Sequence, residues 1–94
     1  MRAAPFNPGS RPAIGSGFRF QWEPAQSAHV LLYPEGMVKL NASAGEILKR
    51  CDGEATIAEI TADLERAFAI GGLADDVMNF VSMAVAQRWL EVHA

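Results

Sequence analysis

The chain has 94 residues, half of them hydrophobic and a fifth charged, with a formal net charge of −3. That length supports one small core and not two, and no apolar run approaches the roughly 20 residues needed to span a membrane. The acids are concentrated late, with four basic and nine acidic side chains over residues 41–94, which argues against a phosphate-binding surface in that half.

Residues 1–17, MRAAPFNPGSRPAIGSG, hold three prolines and three glycines and no hydrophobic h-region. They read as a flexible N-terminal tail rather than a secretory or transit signal, followed by one domain over residues 18–94. From Phe18 the pattern alternates strictly: Phe18, Phe20 and Trp22 on one face, Arg19, Gln21 and Glu23 on the other. That is a half-buried strand, stopped by Pro24. His29 to Tyr33 is apolar on both faces, as a middle strand is. Pro34-Glu35-Gly36 forms a turn, Gly36 being free to take a positive φ, and Met37 to Leu40 returns as a short third strand.

Three helices follow. Ser43 and Glu46 have the S-x-x-E spacing of a capping box. The helix they open carries Ala44, Ile47, Leu48 and Cys51 on one stripe and ends at Asp52-Gly53. A second box, Thr56 and Glu59, opens a helix with Ile57, Ile60, Leu64 and Phe68 inward. Gly71-Gly72 breaks the chain, and Asp75 and Asp76 stand where a helix N-terminus favours acids. The last helix runs to about Arg88 with Val77, Phe80, Val81, Ala84 and Val85 at helical spacing. Trp89 to Val92 forms a brief strand or a packed tail. The expected fold is α+β and winged-helix-like: a three-stranded antiparallel sheet followed by a three-helix bundle, the last two helices arranged as a helix-turn-helix.

Nothing in this order carries chemistry. Cys51 lies on an apolar face, so it reads as a small buried hydrophobe rather than a reactive thiol. As the one cysteine it can form no internal disulfide, which fits a reducing cytoplasm. His29 and His93 have no neighbouring ligands for a metal, and Glu35 lacks a second titratable group for acid–base work. No cofactor, metal or enzymatic activity is expected. A winged helix raises DNA, but the second helix of the pair opens with Asp75 and Asp76 where phosphates would sit. No nucleic acid and no membrane partner is expected.

What remains is a sheet edge beside a helix. Met37, Val38, Lys39 and Leu40 would leave peptide groups unpaired at that edge, and an extended peptide could add there as a further strand. Val77, Phe80, Val81 and Ala84 of the last helix would then receive its apolar side chains. Replacing Val38 with Pro should weaken such binding if that amide faces the peptide.

The same residues resemble the PqqD family of pyrroloquinoline quinone (PQQ) biosynthesis. The resemblance runs over about residues 11–92, through Arg11-Pro12, Phe18 to Glu23, Gln26 and His29 to Gly36. It continues through Leu40-Asn41, Ser43-Ala44, Glu46 to Leu48, Cys51 to Gly53 and Trp89-Leu90. It implies a peptide chaperone that binds the precursor peptide PqqA by strand addition to the third strand, against the last helix. It further implies presentation of that peptide to PqqE, a radical S-adenosylmethionine enzyme that cross-links a Glu and a Tyr of PqqA. A monomer is the expected functional state, with a strand-exchanged dimer at high concentration. Two other classes remain: a winged-helix DNA-binding regulator, and a docking subunit that never contacts peptide.

Overall fold

The computed structural model describes residues 6–93. In order, its elements are β1 (Arg11–Ile14), β2 (Arg19–Glu23), β3 (Ala28–Tyr33), β4 (Gly36–Lys39), α1 (Ala42–Lys49), α2 (Ile57–Ala67), α3 (Ala74–Ala86) and β5 (Leu90–His93). The strands form an antiparallel sheet of three, β2-β3-β4, and a separate antiparallel pair, β1-β5. With three helices this makes a small mixed α/β domain.

Alternation in β2 sets the register of the larger sheet. Phe20 lies opposite Leu31, and Leu31 opposite Val38, so one face of the sheet is apolar from edge to edge. That face meets the helices: Leu31 packs in one core with Leu48, Ile60, Val81 and Leu90. Burying aliphatic side chains of this size contributes roughly 1.5–3 kcal/mol each. The β3–β4 turn is tight, with Tyr33 paired to Gly36, although Gly36 does not use the left-handed region kept by Gly53 and Gly72.

The segment expected as a flexible tail is built into the domain from Phe6 onward, and residues 1–5 lie outside the described residues. Phe6 belongs to the core. The carbonyls of Pro8 and Ser10 accept the first-turn amides of α2, from Ala58 and Ile57, both at 2.9 Å. β1 pairs with β5, Arg11 opposite His93 and Ile14 opposite Leu90. Its partner lies at the far end of the chain, so no local pattern announces it. Trp89-Leu90-Glu91-Val92 thus includes a true strand. The turn out of β1 demands glycine: a Cβ on Gly15 would stand 2.2 Å from the Arg88 carbonyl oxygen.

Helix ends differ from expectation at both ends of α1, which closes at Arg50 rather than at Asp52-Gly53, and at the end of α2. α1 is capped by Asn41, whose side chain accepts from the Ala44 amide at 2.8 Å, and not by a Ser43–Glu46 box. The Leu40 amide is still bound to the His29 carbonyl, so the helix begins as soon as the strand releases the chain, and Ser43 is already inside the first turn. The Thr56–Glu59 box on α2 is present in both directions. α2 and α3 both close in the six-to-one, five-to-two pattern of a Schellman motif. Ile70 and Ala69 donate to the Glu65 and Arg66 carbonyls, and Trp89 and Arg88 to those of Ala84 and Val85. The left-handed positions are Ala69 (φ 53°) and Arg88 (φ 67°) rather than glycine. Because α2 ends this way, Phe68 does not join the core; it is 55% exposed.

Candidate functional site

The reactive-group inventory is short. The Cys51 thiol donates to the Ile47 carbonyl at 3.2 Å, and burial pushes its pKa up to about 12, so it stays protonated at neutral pH. His29 is held between two rings, stacked on Phe20 with centroids 4.8 Å apart and edge-on to Trp22 at 5.1 Å. Among the described residues no group of three His, Cys, Asp or Glu could hold a metal ion. Among the same residues no helix is long and apolar enough to cross a membrane.

The feature that stands out is a groove of about 740 Å³ between the end of β4, the start of α1 and the facing sides of α2 and α3. Among the described residues β4 is an edge strand, paired only with β3. In an antiparallel pair, residues alternate between pointing their peptide groups at the partner and away from it. The Leu40 amide donates to the His29 carbonyl at 3.0 Å, so by alternation Val38 also faces β3, opposite Leu31. Met37 and Lys39 therefore direct their amides and carbonyls outward. A Val38→Pro change would strike the sheet itself; the outward amides belong to its two neighbours.

The eight residues singled out from sequence divide into three groups. Lys39, Leu40, Val77 and Phe80 line the groove. Met37 is exposed on the strand and Val38 is half-buried against the core. Val81 and Ala84 have no exposed surface at all; they support the floor of the groove and present nothing to it. Sequence reading missed Phe68, Ile70, Leu73 and Met83, which form its apolar far wall with Phe80. Phe68 and Ile70 are more than half exposed, at 55% and 52%. Two large apolar residues just before the Gly71-Gly72 break were the available signal, since neither can stay on the buried stripe once the helix ends.

Electrostatics around the groove are mixed. Lys39 stands on the strand side, Glu46 and Asp76 on the helix side. The Glu46 carboxyl is held below its usual range, chiefly by its hydrogen bond from Arg50. Trp89 closes one end of the groove, and its carbonyl accepts the Gly15 amide at 2.8 Å, which ties this wall to the β1–β5 pair.

An edge strand with two outward peptide groups, opening onto an apolar groove on a domain of this size, is the architecture of a recognition element. The solution NMR structure of the PqqD truncation of Methylobacterium extorquens PqqCD has the same fold. That protein is a stand-alone recognition element for ribosomally synthesized, post-translationally modified peptides. It superposes with a TM-score of 0.70 at 27% identity, covering 85% of this chain and 87% of that one. The family model of coenzyme PQQ synthesis protein D (PqqD) matches residues 28–90. The PqqA binding protein of Pseudomonas paraeruginosa is 55% identical over 84 residues, 88% of this chain and 91% of that protein. The PqqA binding protein of Azotobacter vinelandii is 53% identical over 83 residues, 87% and 90% of the two chains. The chain belongs to the PqqD family.

Proposed function

We propose that this protein is a peptide chaperone of PQQ biosynthesis, which binds the precursor peptide PqqA by strand addition to β4 and presents it to the radical S-adenosylmethionine enzyme PqqE. The observation that carries this reading is the outward pair of peptide groups at Met37 and Lys39 beside the apolar groove. An extended peptide receives backbone hydrogen bonds from the strand and lays alternate side chains against Phe80, Leu73 and Phe68. Ordering a disordered peptide costs several kcal/mol, which those contacts offset. The protein contributes recognition and delivery, with no turnover of its own: tethering raises the effective concentration of the reactive residues at the enzyme. The names of its relatives support PqqA as the ligand. The same reading treats β2–β4 as the wing of a winged-helix-like domain, supported by the succession of α2, a break at Gly71-Gly72 and α3. Cytoplasmic residence fits a chain whose lone thiol is buried.

The test is calorimetric titration of the protein with PqqA, repeated on Lys39→Pro. That change removes one outward amide at an edge position where proline is tolerated, so the domain stays folded. Affinity should fall on the order of tenfold. Wild-type affinity in a folded Lys39→Pro protein would exclude addition at this edge, and no heat of binding to the unaltered protein would exclude the chaperone reading.

A further inference from the structure

Part of the far wall of the groove stands on a stretch of chain with few fastenings. Ile70 and Leu73 line the groove, and Gly71 and Gly72 lie between them. Among the described residues neither glycine makes a hydrogen bond, and a Cβ on either would meet no atom within 4 Å. Glycine loses more backbone freedom on ordering than any other residue, so this loop needs a tether to keep one position. Glu65 supplies it at both ends. Its carbonyl accepts the Ile70 amide at 3.0 Å, and its carboxylate accepts the Leu73 amide at 2.9 Å. The two bonds bracket the glycines, so a single residue of α2 fixes the loop that leads into α3.

We infer that Glu65 is a positioning residue for peptide recognition: by bracketing Gly71-Gly72 it holds Ile70 and Leu73 in the arrangement that the peptide meets. The role rests on the chaperone reading above. Glu65 does not itself line the groove, so it acts through the wall and not by contact. In a capping box the bond to the N-cap amide comes from the acid three residues into the same helix, as Glu59 gives it to Thr56. In α3 that place belongs to Asp76, yet the Leu73 amide is bound by Glu65 from the neighbouring helix. The bond therefore joins α2 to α3 and sets where α3 begins, which a box within α3 would not do. An ionised acceptor makes it the stronger kind of hydrogen bond, and the positive end of α3 favours it further. A wall ordered before binding spares the complex the cost of fixing the loop. Without the carboxylate, Leu73 and the two glycines sample other positions, and the loop has to be ordered as the peptide arrives.

The experiment joins amide exchange of the peptide-free full chain to calorimetric titration with PqqA. Glu65→Met keeps the stem and the helix while losing the acceptor. In that variant exchange at the Leu73 amide should accelerate on the order of tenfold, and PqqA affinity should fall on the order of tenfold. Glu65→Gln keeps an acceptor and should bind within about threefold of the parent. The deciding readout is a double-mutant cycle. Ile70→Ser with Leu73→Ala strips the wall of the side chains that the loop carries, and in that background Glu65→Met should change affinity by less than about twofold. Unchanged Leu73 exchange in Glu65→Met overturns the tether. Faster exchange with parental affinity overturns the positioning role, as does a loss of affinity that is fully additive in the cycle. No binding of PqqA by the unaltered protein would overturn the chaperone reading and the role of Glu65 with it, whatever the exchange shows.

Discussion

The two helix–helix junctions of this domain are built on opposite principles. Between α1 and α2 polar side chains tie the chain down. Arg50 bonds both Glu46 and Asp63, the Asp52 carboxylate accepts the Glu54 and Ala55 amides, and the Thr56–Glu59 box closes the start of α2. Between α2 and α3 the chain instead exposes Phe68 and Ile70. It turns there through a left-handed Ala69 and starts α3 at Leu73 without a side-chain cap. One junction is spent on holding the helices in place. The other leaves apolar surface uncovered beside an unpaired strand edge, an arrangement that stability alone does not select.

Leu64 belongs to both regions, as a core residue that also lines the groove, and it gives the largest expected effect. Leu64→Ala should cost about 2–5 kcal/mol in denaturant unfolding, so the groove and the core should fail together. Phe68→Ser separates them. Its unfolding free energy should stay within about 0.5 kcal/mol of the parent, while affinity for PqqA by calorimetry falls on the order of tenfold. Destabilisation well beyond that would mean Phe68 is structural after all.

Arg50→Met probes the wired junction and should cost about 1 kcal/mol, with peptide affinity unchanged. Its pH signature is specific. Hydrogen bonds from Arg50 hold the Glu46 and Asp63 carboxyls below their ordinary values. The stability they supply is therefore complete above the unfolded carboxylate range near about 4 and is lost as pH falls through the lowered folded values. Thermal melts of the parent should hold steady from neutral pH to about 5 and drop below about 4; the variant should show a shallower acid limb. The smallest effect is a gain: Ala69→Gly relieves a left-handed alanine and should add about 0.5–1 kcal/mol.

What the sequence disclosed follows from how local each signal is. The Thr56–Glu59 box lies within one helical turn, and the alternation of β2 within five residues, so both were legible. Strand β1 was not, because Arg11 finds its partner at His93, and a proline-rich segment carries no sign of a distant mate. The S-x-x-E spacing at Ser43 masks the true cap, Asn41, whose role depends on where the preceding strand releases the chain. The groove was half legible. Leu40, Val77 and Phe80 followed from helical and strand periodicity, but the same periodicity could not separate Phe80 from Val81 and Ala84, which are sealed in the core. The outward parity of Met37 and Lys39 depends on one hydrogen bond, Leu40 to His29, and no residue type encodes it.

The β1–β5 pairing has a topological consequence. With Arg11 opposite His93, the first strand and the last lie side by side, far along the sequence but adjacent in space. A linker that runs from His93 back to Phe6 can therefore close the chain, and the exposed Pro24–Ser27 turn can be cut to open it elsewhere. Such a circularly permuted chain should keep β4 and its groove, because neither the splice nor the cut touches them. The domain can likewise be spliced into a host protein as a single insertion, carried there as a self-contained cartridge.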